Sequence, residues 1–357
     1  RTSMGRFTRQ VSGYSLEHLL PENGRSLERF LVGSEGTLAV VLGATVRLVR
    51  DAPVRVLVVL GYPSMFEAAD AVPGLLRHDL VACEGLDDRI VEVVRARRGR
   101  VPELPRGAGW LFAEVTADTE AEAGARAEWV RADADALDAR VVVDAAEQAA
   151  LWRIREDGAG LAAVTMGRPG HAGWEDAAVP PDRLGAYLRD FDALLRGHDL
   201  DGVPYGHFGD GCVHVRIDFE LDDDAGRRRF RTFLDEAARL VASYGGSLSG
   251  EHGDGRARSE LLPLMYPPEV LDLFSRVKGV FDPDGLLNPG VLVDPAPADG
   301  DLRLAGPLRV VGAVLGRERE HEGRHRVERE APLEPLEIGG VEVGAIERRR
   351  GGVGGVL

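Results

Sequence analysis

Two stretches of this chain show the same order of strand-like and helix-like sequence, and its fold has to accommodate both. In the first stretch we predict a strand at 54–60, a partly helical segment at 87–105, a strand at 110–115, a helix at 118–137 and a strand at 141–143. Another helix begins at Ser64, because Glu67 stands three residues later and completes a capping box. This order is that of a split βαβ unit.

The second stretch repeats that order. We predict a helix over 184–195, strands at 203–207 and 212–219, and a long helix over 230–241. The first of these helices has its large apolar residues at helical spacing, and the last one ends at Gly245. We therefore predict an α+β domain over about 54–280, in which two split βαβ halves share one antiparallel sheet.

Charge and cysteine content exclude several classes of protein. The chain has 357 residues and a formal net charge of −15, whereas a nucleic-acid-binding protein needs a clustered basic face. Its two cysteines, Cys83 and Cys212, are too few for a disulfide framework or a cysteine-ligated iron–sulfur cluster. No apolar run approaches the roughly 20 residues of a membrane-spanning helix. We expect a cytoplasmic protein of two or three domains, with peripheral attachment at the inner face of the membrane as a further option.

The two ends of the chain differ from its centre. Arg1 begins neither a signal peptide nor a normal reading frame, so we expect the chain to start inside a domain. A glycine-punctuated turn at 33–37 precedes an apolar run at 38–49, which we expect to form strands and to expose an apolar face. Residues 299–357 contain no Phe, Trp or Tyr. We expect the tail 298–357 to be disordered, because it has few large side chains to bury.

The segment 206–214, Gly-His-Phe-Gly-Asp-Gly-Cys-Val-His, has the strongest chemical signal. Its glycines allow the chain to bend, so that His207 and His214 can approach one ion. A carboxylate from elsewhere would complete a site for zinc, manganese or iron. Apolar and polar residues alternate after the turn, which places His214 on the polar face of a strand. Taken alone, two histidines at this spacing also fit a purely structural role.

A second glycine-rich loop, at 249–255, holds Glu251 and His252. The carboxylate offers a third metal ligand, and the imidazole offers a general base because its ordinary pKa lies near neutrality. The alternative is a polar turn in which His252 only caps a neighbouring element.

Two further residues have less specific contexts. Arg155 can hold a carboxylate with its planar fork, although the sequence alone favours a surface ion pair with Glu156 or Asp157. Asn288 lies in a turn at 281–290 that is rich in proline and glycine. Its amide can face a flavin or another heterocycle, or it can simply complete a well-built loop.

Six segments in this order resemble the FAD-linked oxidases of the vanillyl-alcohol oxidase or PCMH type. The nearest branch contains D-lactate dehydrogenase (cytochrome), the flavin subunit of glycolate oxidase and D-2-hydroxyglutarate dehydrogenase. The segments are 13–14, 33–38, 152–156, 206–214, 249–255 and 281–290. The resemblance implies a partial PCMH-type FAD-binding domain at 1–53, followed by a cap domain at 54–297 with two ferredoxin-like halves.

The resemblance also implies roles for individual residues. FAD would contact Gly13, Tyr14, Gly33, Ser34, Glu35, Gly36, Thr37 and Asn288. His207, His214 and Glu251 match the ligands of a divalent metal, either zinc or manganese. His252 matches the catalytic base, and Arg155 matches the arginine that holds the substrate carboxylate. The implied reaction oxidises a D-2-hydroxy acid, such as D-lactate or glycolate, to the 2-oxo acid; hydride passes to FAD, and the electrons pass on to a cytochrome, quinone or flavoprotein.

Three departures from the family pattern accompany the resemblance. The family's first FAD subdomain should precede residue 1. The Lys-Tyr-Asp-Val-type segment of several relatives reads Gly-Trp-Glu-Asp at 173–176, so a substrate lysine is missing and the identity of the acid stays open. No cysteine follows Cys212, whereas some relatives continue into an iron–sulfur domain. The alternative functions are a metal-dependent hydrolase with the same His, His and Glu set, and an inactive fragment that retains only the cap domain.

Overall fold

The computed structural model describes residues 5–99, 101–162, 168, 170–300 and 302. Within this part of the chain, seven strands form one antiparallel sheet. They are β1 (Val54–Tyr62), β2 (Ala82–Asp87), β3 (Gly109–Ala117), β4 (Asp138–Val142), β5 (Ala177–Ala178), β6 (Gly202–Gly206) and β7 (Cys212–Ile217). Their spatial order is β4-β1-β3-β2-β6-β7-β5. The first four strands therefore form one end of the sheet, and the last three form the other end.

Helices connect these strands and follow the last of them. The described α-helices are α1 (Leu27–Leu31), α2 (Met65–Leu75), α3 (Asp88–Arg98), α4 (Glu120–Asp133), α5 (Ala145–Ala162), α6 (Leu184–Gly197), α7 (Asp224–Ser243), α8 (Gly255–Arg258) and α9 (Pro268–Phe281). The predicted start of α2 is confirmed. Oγ of Ser64 accepts a hydrogen bond from the backbone N–H of Phe66 at 3.0 Å and also contacts the carboxylate of Glu67.

The two halves of the sheet have matching topologies. In the first half, the chain order β1-α2-β2-β3-α4-β4 gives the spatial order β4-β1-β3-β2 of a split βαβ unit. In the second half, a bridge between Ala178 and Ser247 stands at the position of the fourth strand. Pairing of Gly85 with Gly206 joins the halves between β2 and β6. The predicted α+β fold, with two halves that share one antiparallel sheet, is confirmed.

Each face of the sheet has its own hydrophobic core. The helices α2, α4, α6 and α7 pack on one face, against residues such as Val58 and Leu60. The helices α3 and α5 pack on the opposite face, against residues such as Leu57 and Val59. Neighbouring residues of β1 thus point to different cores, as the two-residue period of a strand requires. On the α3 and α5 side, β6 and β7 carry polar and aromatic side chains, and the candidate site lies there.

The N-terminal residues pack against α9. Tyr14 is buried, and its ring meets the rings of Phe30 and Phe274 edge to face. Gly13 has φ of 75°, and a Cβ atom there would lie 2.6 Å from the Phe274 ring. Both residues were predicted to contact FAD. In the structure they attach the N-terminal segment to α9, and their contact with FAD stays a prediction.

The apolar run at 38–49 differs from its predicted structure. Residues 39–52 have no regular secondary structure. Within this segment Val41, Leu42 and Leu48 are exposed, and the exposed fraction of Leu42 is 96%. The predicted strands are therefore wrong. Apolar side chains of this run are exposed, but they do not form the predicted sheet face, and Leu38 is buried. Residues of high β-propensity form a strand only when a neighbouring strand pairs with them and one face packs.

The described part of the chain ends shortly after α9. The backbone N–H of Ala298 donates to the carboxylate of Glu260 at 2.8 Å. Apart from residues 298–300 and 302, the predicted disordered tail at 298–357 lies outside the described residues. No described helix combines the length and the apolar composition that a bilayer crossing requires.

Candidate active site

One buried carboxylate orders the loop that holds Glu251 and His252. Asp176 is fully buried, with φ of 78°. Its two oxygens accept hydrogen bonds from the backbone N–H groups of residues 250–252 at 2.8–3.1 Å and from the hydroxyl of Ser249 at 2.5 Å. Because these donors are satisfied by one side chain, the loop backbone is held while the side chains of Glu251 and His252 project from it.

The turn between the two predicted metal-binding histidines depends on a glycine. Gly211 has φ of 72°, and a Cβ atom there would clash with the carbonyl oxygen of Val179. The turn leads from β6 into β7, whose register pairs Tyr205 with His214. The ring centroids of His207 and His214 then lie 5.3 Å apart. The bend thus brings both imidazoles to the same place.

Both histidines converge on Glu251, as the sequence analysis expected. Oε1 of Glu251 lies 3.0 Å from Nε2 of His207 and 3.4 Å from Nε2 of His214. His214 is buried, and its Nδ1 has no hydrogen-bond partner among the described residues. The ring of His252 stacks on that of His214 at a centroid separation of 5.2 Å. Since the His252 side chain is 47% exposed, an incoming ligand can reach it.

Arg155 pairs with a buried acid from a strand. Its Nε and Nη2 atoms, on α5, lie 3.1 and 3.0 Å from Oε2 of Glu84, on β2. Oε1 of Glu84 lies 2.6 Å from Nδ1 of His207. The surface pair that the sequence favoured is wrong, since Asp157 pairs with Arg98 instead. One carboxylate therefore connects the predicted substrate arginine to a predicted metal ligand.

Burial and charge act on these groups in opposite directions. Burial lowers the pKa of His207, but hydrogen bonds to Glu251 and Glu84 outweigh it and raise the pKa to about 9. Hydrogen bonds from His207 and His214 hold the pKa of the Glu251 carboxyl well below its usual range. Burial raises the pKa of Glu84, yet the contacts with His207 and Arg155 outweigh burial and lower it. Both carboxylates are therefore ionised at neutral pH and can hold a cation.

A residue near the N-terminus also contacts this cluster. Arg9 forms an ion pair with Oε2 of Glu251, and its Nε lies 3.1 Å from Oδ2 of Asp210. The hydroxyl of Thr8 donates to the other oxygen of Asp210 at 2.8 Å. Because Arg9 occupies Oε2 of Glu251, the other oxygen of that carboxylate faces the histidines.

The donor set fits a divalent metal. Two imidazole nitrogens and a carboxylate oxygen suit zinc or manganese. The separations of 3.0 and 3.4 Å are near the roughly 3.4 Å between ligands that lie about 2.1 Å from a tetrahedral ion. Glu84 accepts from Nδ1 of His207, which leaves Nε2 for the metal, a common outer-shell arrangement.

A different grouping of possible ligands lies at the same place. It comprises Asp176, His214, Glu251 and His252, whose ligand atoms lie within 4.8 Å of one another. Both oxygens of Asp176 already accept hydrogen bonds from the loop. Asp176 is therefore better described as the support of the loop, and the metal-binding role of His207, His214 and Glu251 stays a prediction.

The residues predicted to contact FAD lie in three segments, at 13–14, at 33–37 and in the loop that contains Asn288. In the turn at 33–37, Gly33 and Gly36 are exposed, with φ of 81° and 68°, and no described atom lies within 4 Å of a Cβ placed on either. Nδ2 of Asn288 donates to the carbonyl oxygen of Glu35 at 2.7 Å. The loop at 281–290 therefore adjoins the turn. Open backbone of this kind allows close approach of a ligand, so the segments fit a flavin nucleotide.

The other predicted FAD contacts support this turn internally. The hydroxyl of Thr37 donates to the carbonyl oxygen of Ser34 at 2.6 Å and lies 2.7 Å from the hydroxyl of Tyr14. The carboxylate of Glu35 accepts from the N–H groups of residues 254–255 at 2.7 and 2.8 Å. The turn is thereby attached to the loop that holds the predicted metal ligand and base.

Glu84, Asp176 and Arg9 contact the site but are not among the site residues predicted from the sequence. Glu84 is a single acid within a strand, and Arg9 lies in an irregular segment, so neither stands in a recognisable motif. Asp176 ends the segment at 173–176, where only the missing lysine was noticed. The sequence signal for Asp176 was its position after Gly-Trp-Glu, and this position did not indicate that its carboxylate supports the loop.

The chain belongs to the FAD-linked oxidases. Residues 52–292 match the family model described as FAD linked oxidases, C-terminal domain, a range that includes the sheet and all the predicted metal ligands. Membership of this family implies FAD as the cofactor. Among similar curated proteins, D-2-hydroxyglutarate dehydrogenase of Pseudomonas putida is 31% identical over 332 residues, which is 86% of this chain and 32% of that protein. D-lactate dehydrogenase of Archaeoglobus fulgidus is 30% identical over 293 residues, or 81% of this chain and 60% of that protein.

This chain therefore spans about a third of the length of the first of these relatives and less than two thirds of the second. Among solved structures, 4-ethylphenol oxidase from Gulosibacter chungangensis is 13% identical, with a TM-score of 0.49. That match covers 69% of this chain and 55% of the oxidase.

Proposed function

We propose that this chain forms the substrate and metal part of an FAD-dependent dehydrogenase that oxidises a D-2-hydroxy acid, such as D-lactate or glycolate, to the 2-oxo acid. The observation that supports this proposal most strongly is that Glu84 contacts both Arg155 and His207. It joins a carboxylate-binding fork to a candidate metal site, and a 2-hydroxy acid has a carboxylate and a hydroxyl on adjacent carbons. The names of the similar dehydrogenases support the same substrate class.

The proposal includes a division of the chain. Residues 1–53 would be the last part of a PCMH-type FAD-binding domain, and 54–297 would be the cap domain that binds the substrate. The exposed turn at 33–37 and the adjoining Asn288 support this division, because both lie beside the loop of His252.

In this mechanism each side chain has one task. Arg155 binds the substrate carboxylate, and Glu84 keeps its guanidinium in place. Nε2 of His252 accepts the proton of the C2 hydroxyl. When bound, a divalent metal held by His207, His214 and Glu251 supplies Lewis acidity toward the hydroxyl, and FAD supplies the hydride acceptor. The final electron acceptor would be a cytochrome, a quinone or another flavoprotein.

A metal-dependent hydrolase is the second candidate, since it would use the same ligands to activate water. It needs no flavin. Family membership and the open glycine turn beside Asn288 favour the flavin enzyme. An inactive cap domain is the third candidate, and a reduction experiment separates the flavin enzyme from both alternatives.

The test mixes the flavin-loaded enzyme that contains this chain with D-lactate, glycolate or D-2-hydroxyglutarate in the absence of oxygen. We expect one of these acids to bleach the visible absorbance of the flavin. His252→Ala should keep flavin and metal and lose turnover by about 10²–10⁴-fold, whereas Glu251→Ala should release the metal. An enzyme without flavin, or a flavin that no acid reduces, would contradict the proposal. Full turnover by His252→Ala would show that another residue is the catalytic base.

A further inference from the structure

A second arginine stands beside the candidate active site, and it is paired with an acid. Arg216 follows His214 by two residues on β7, so both side chains project from the same face of the sheet. Nη1 of Arg216 lies 3.2 Å from Oε2 of Glu175. The side chains of Arg216 and Glu175 are 22% and 15% exposed, so water screens their charges only in part.

Tyr205 connects this pair to the predicted substrate arginine. Its hydroxyl lies 3.3 Å from Oε1 of Glu175. The guanidinium of Arg155 lies over its ring, 5.1 Å from the centroid, and the ring of His214 lies 5.4 Å away. The Glu175–Arg216 pair therefore borders the cluster proposed to bind the carboxylate and the hydroxyl of the acid.

The two arginines differ in how far their charge is compensated. Glu84 faces two basic side chains, Arg155 and His207. Among the described contacts of the Glu175 carboxylate, by contrast, Arg216 is the basic partner and the hydroxyl of Tyr205 is neutral. Arg155 therefore shares its acid with a second basic side chain, whereas Arg216 is the basic partner of Glu175 among the described contacts.

We propose that the Glu175–Arg216 pair makes this site select monocarboxylic D-2-hydroxy acids over dicarboxylic ones. The proposal rests on the proposed function and specifies its substrate class. A second carboxylate that approaches Arg216 also approaches Glu175, and like charges in a partly buried site repel each other strongly. The segment at 173–176 reads Gly-Trp-Glu-Asp and has no basic side chain that could pair with such a group.

The test compares D-2-hydroxypentanoate with D-2-hydroxyglutarate, which have carbon chains of equal length and differ in the terminal carboxylate. Flavin reduction yields kcat/KM for each acid, and calorimetry yields Kd for the two corresponding 2-oxo acids. We expect the wild-type enzyme to prefer the monocarboxylic member of each pair by about tenfold or more. In Glu175→Gln, the uncompensated Arg216 should shift both ratios toward the dicarboxylic member by about tenfold.

Two further variants separate charge from structure. Adding Arg216→Gln to Glu175→Gln should abolish the shift, because no cation remains for the second carboxylate. Glu220→Gln, which removes an exposed acid beyond the end of β7, should leave both ratios unchanged. Thermal unfolding shows whether each variant is folded. We expect Glu175→Gln to fold, because it keeps the hydrogen bond from Arg258 to the backbone carbonyl of Glu175.

Two outcomes would overturn the proposal: a wild-type preference for the dicarboxylic acid, or ratios that change less than about twofold in Glu175→Gln. If D-lactate and glycolate, like these two hydroxy acids, also fail to reduce the flavin, the proposed function fails. The Kd values of the 2-oxo acids would still decide whether the pair selects against a second carboxylate.

Discussion

Nδ1 of His207 lies 2.6 Å from Oε1 of Glu84. This contact orients the ring so that Nε2 of His207 faces Glu251, while the other oxygen of Glu84 holds Arg155. One buried acid thus positions a predicted metal ligand and the predicted substrate arginine together. Removing the charge of Glu84 should therefore affect both metal binding and substrate binding.

We expect Glu84→Gln to weaken metal binding by about 10–100-fold, the usual effect of changing an outer-shell partner of a histidine ligand. It should also raise KM for the acid, because Arg155 loses its ion-pair partner. Competition with a chelator measures the first effect. Glu236→Gln is the matched control, since Glu236 forms an exposed pair with His198 at 2.7 Å. Equal metal affinity in the two variants would refute the positioning role.

Asp176→Ala should destabilise the protein substantially. The change removes the acceptor of the Ser249 hydroxyl and of the backbone N–H groups of residues 251 and 252, whereas the N–H of Gly250 keeps the backbone carbonyl of Asp176. Because each buried donor without a partner costs about 1–3 kcal/mol, we expect a total loss on the order of 3 kcal/mol or more. Asp176→Asn keeps one acceptor oxygen and should lose less. Denaturant unfolding measures both, with the exposed Asp224→Ala as control; a midpoint for Asp176→Ala like that of the control would contradict this account.

Two glycine substitutions should have opposite effects on stability. Gly211→Ala combines a φ of 72° with a clash against the carbonyl oxygen of Val179, and it should destabilise the turn between the histidines by more than about 1 kcal/mol. Gly124→Ala lies within α4, where no described atom is within 4 Å of the added Cβ, and it should stabilise by about 0.5–1 kcal/mol. Denaturation midpoints that move in the same direction would show that the backbone of the turn is less constrained.

The stability of the protein should depend on the ionisation of Asp254. Burial raises the pKa of this carboxyl to about 7, from an ordinary value of 3.8. Its Oδ2 accepts from the N–H of Gly13 at 2.7 Å, and its Oδ1 has no partner among the described residues. The folded state therefore binds the proton more tightly than the unfolded state, and this contribution to stability is complete below pH 3.8 and is lost as the pH rises through about 7.

Asp254→Asn removes that titration. The free energy of unfolding of the wild type, relative to this variant, should fall between pH 4 and pH 7 by at most about 1.4 kcal/mol per pH unit. Denaturant unfolding at a series of pH values measures the difference. Parallel profiles for the two proteins would mean that Asp254 is ionised in the folded state throughout this range.

Local patterns in the sequence determined most of the fold. The β-branched content of β1, the alternation along β7, the cap at Ser64 and the stop at Gly245 depend on neighbours in the chain, so they can be recognised without a structure. The repeated order of strands and helices then leads to two split βαβ halves. The glycine-rich segments around His207 and Glu251 also identified where the chain bends to bring these side chains together.

Only the tertiary structure decided which distant residues complete the site. Glu84 and Arg155 meet because α5 covers the face of the sheet to which Glu84 points, and Arg9 reaches Glu251 across the fold. Such contacts depend on strand order and on which face a helix covers, and no single segment encodes either of them. The run at 38–49 also depends on its tertiary context. It has the composition of a strand, but no strand pairs with it among the described residues. Periodicity specifies an element, whereas the partner that satisfies its polar groups comes from the assembled sheet.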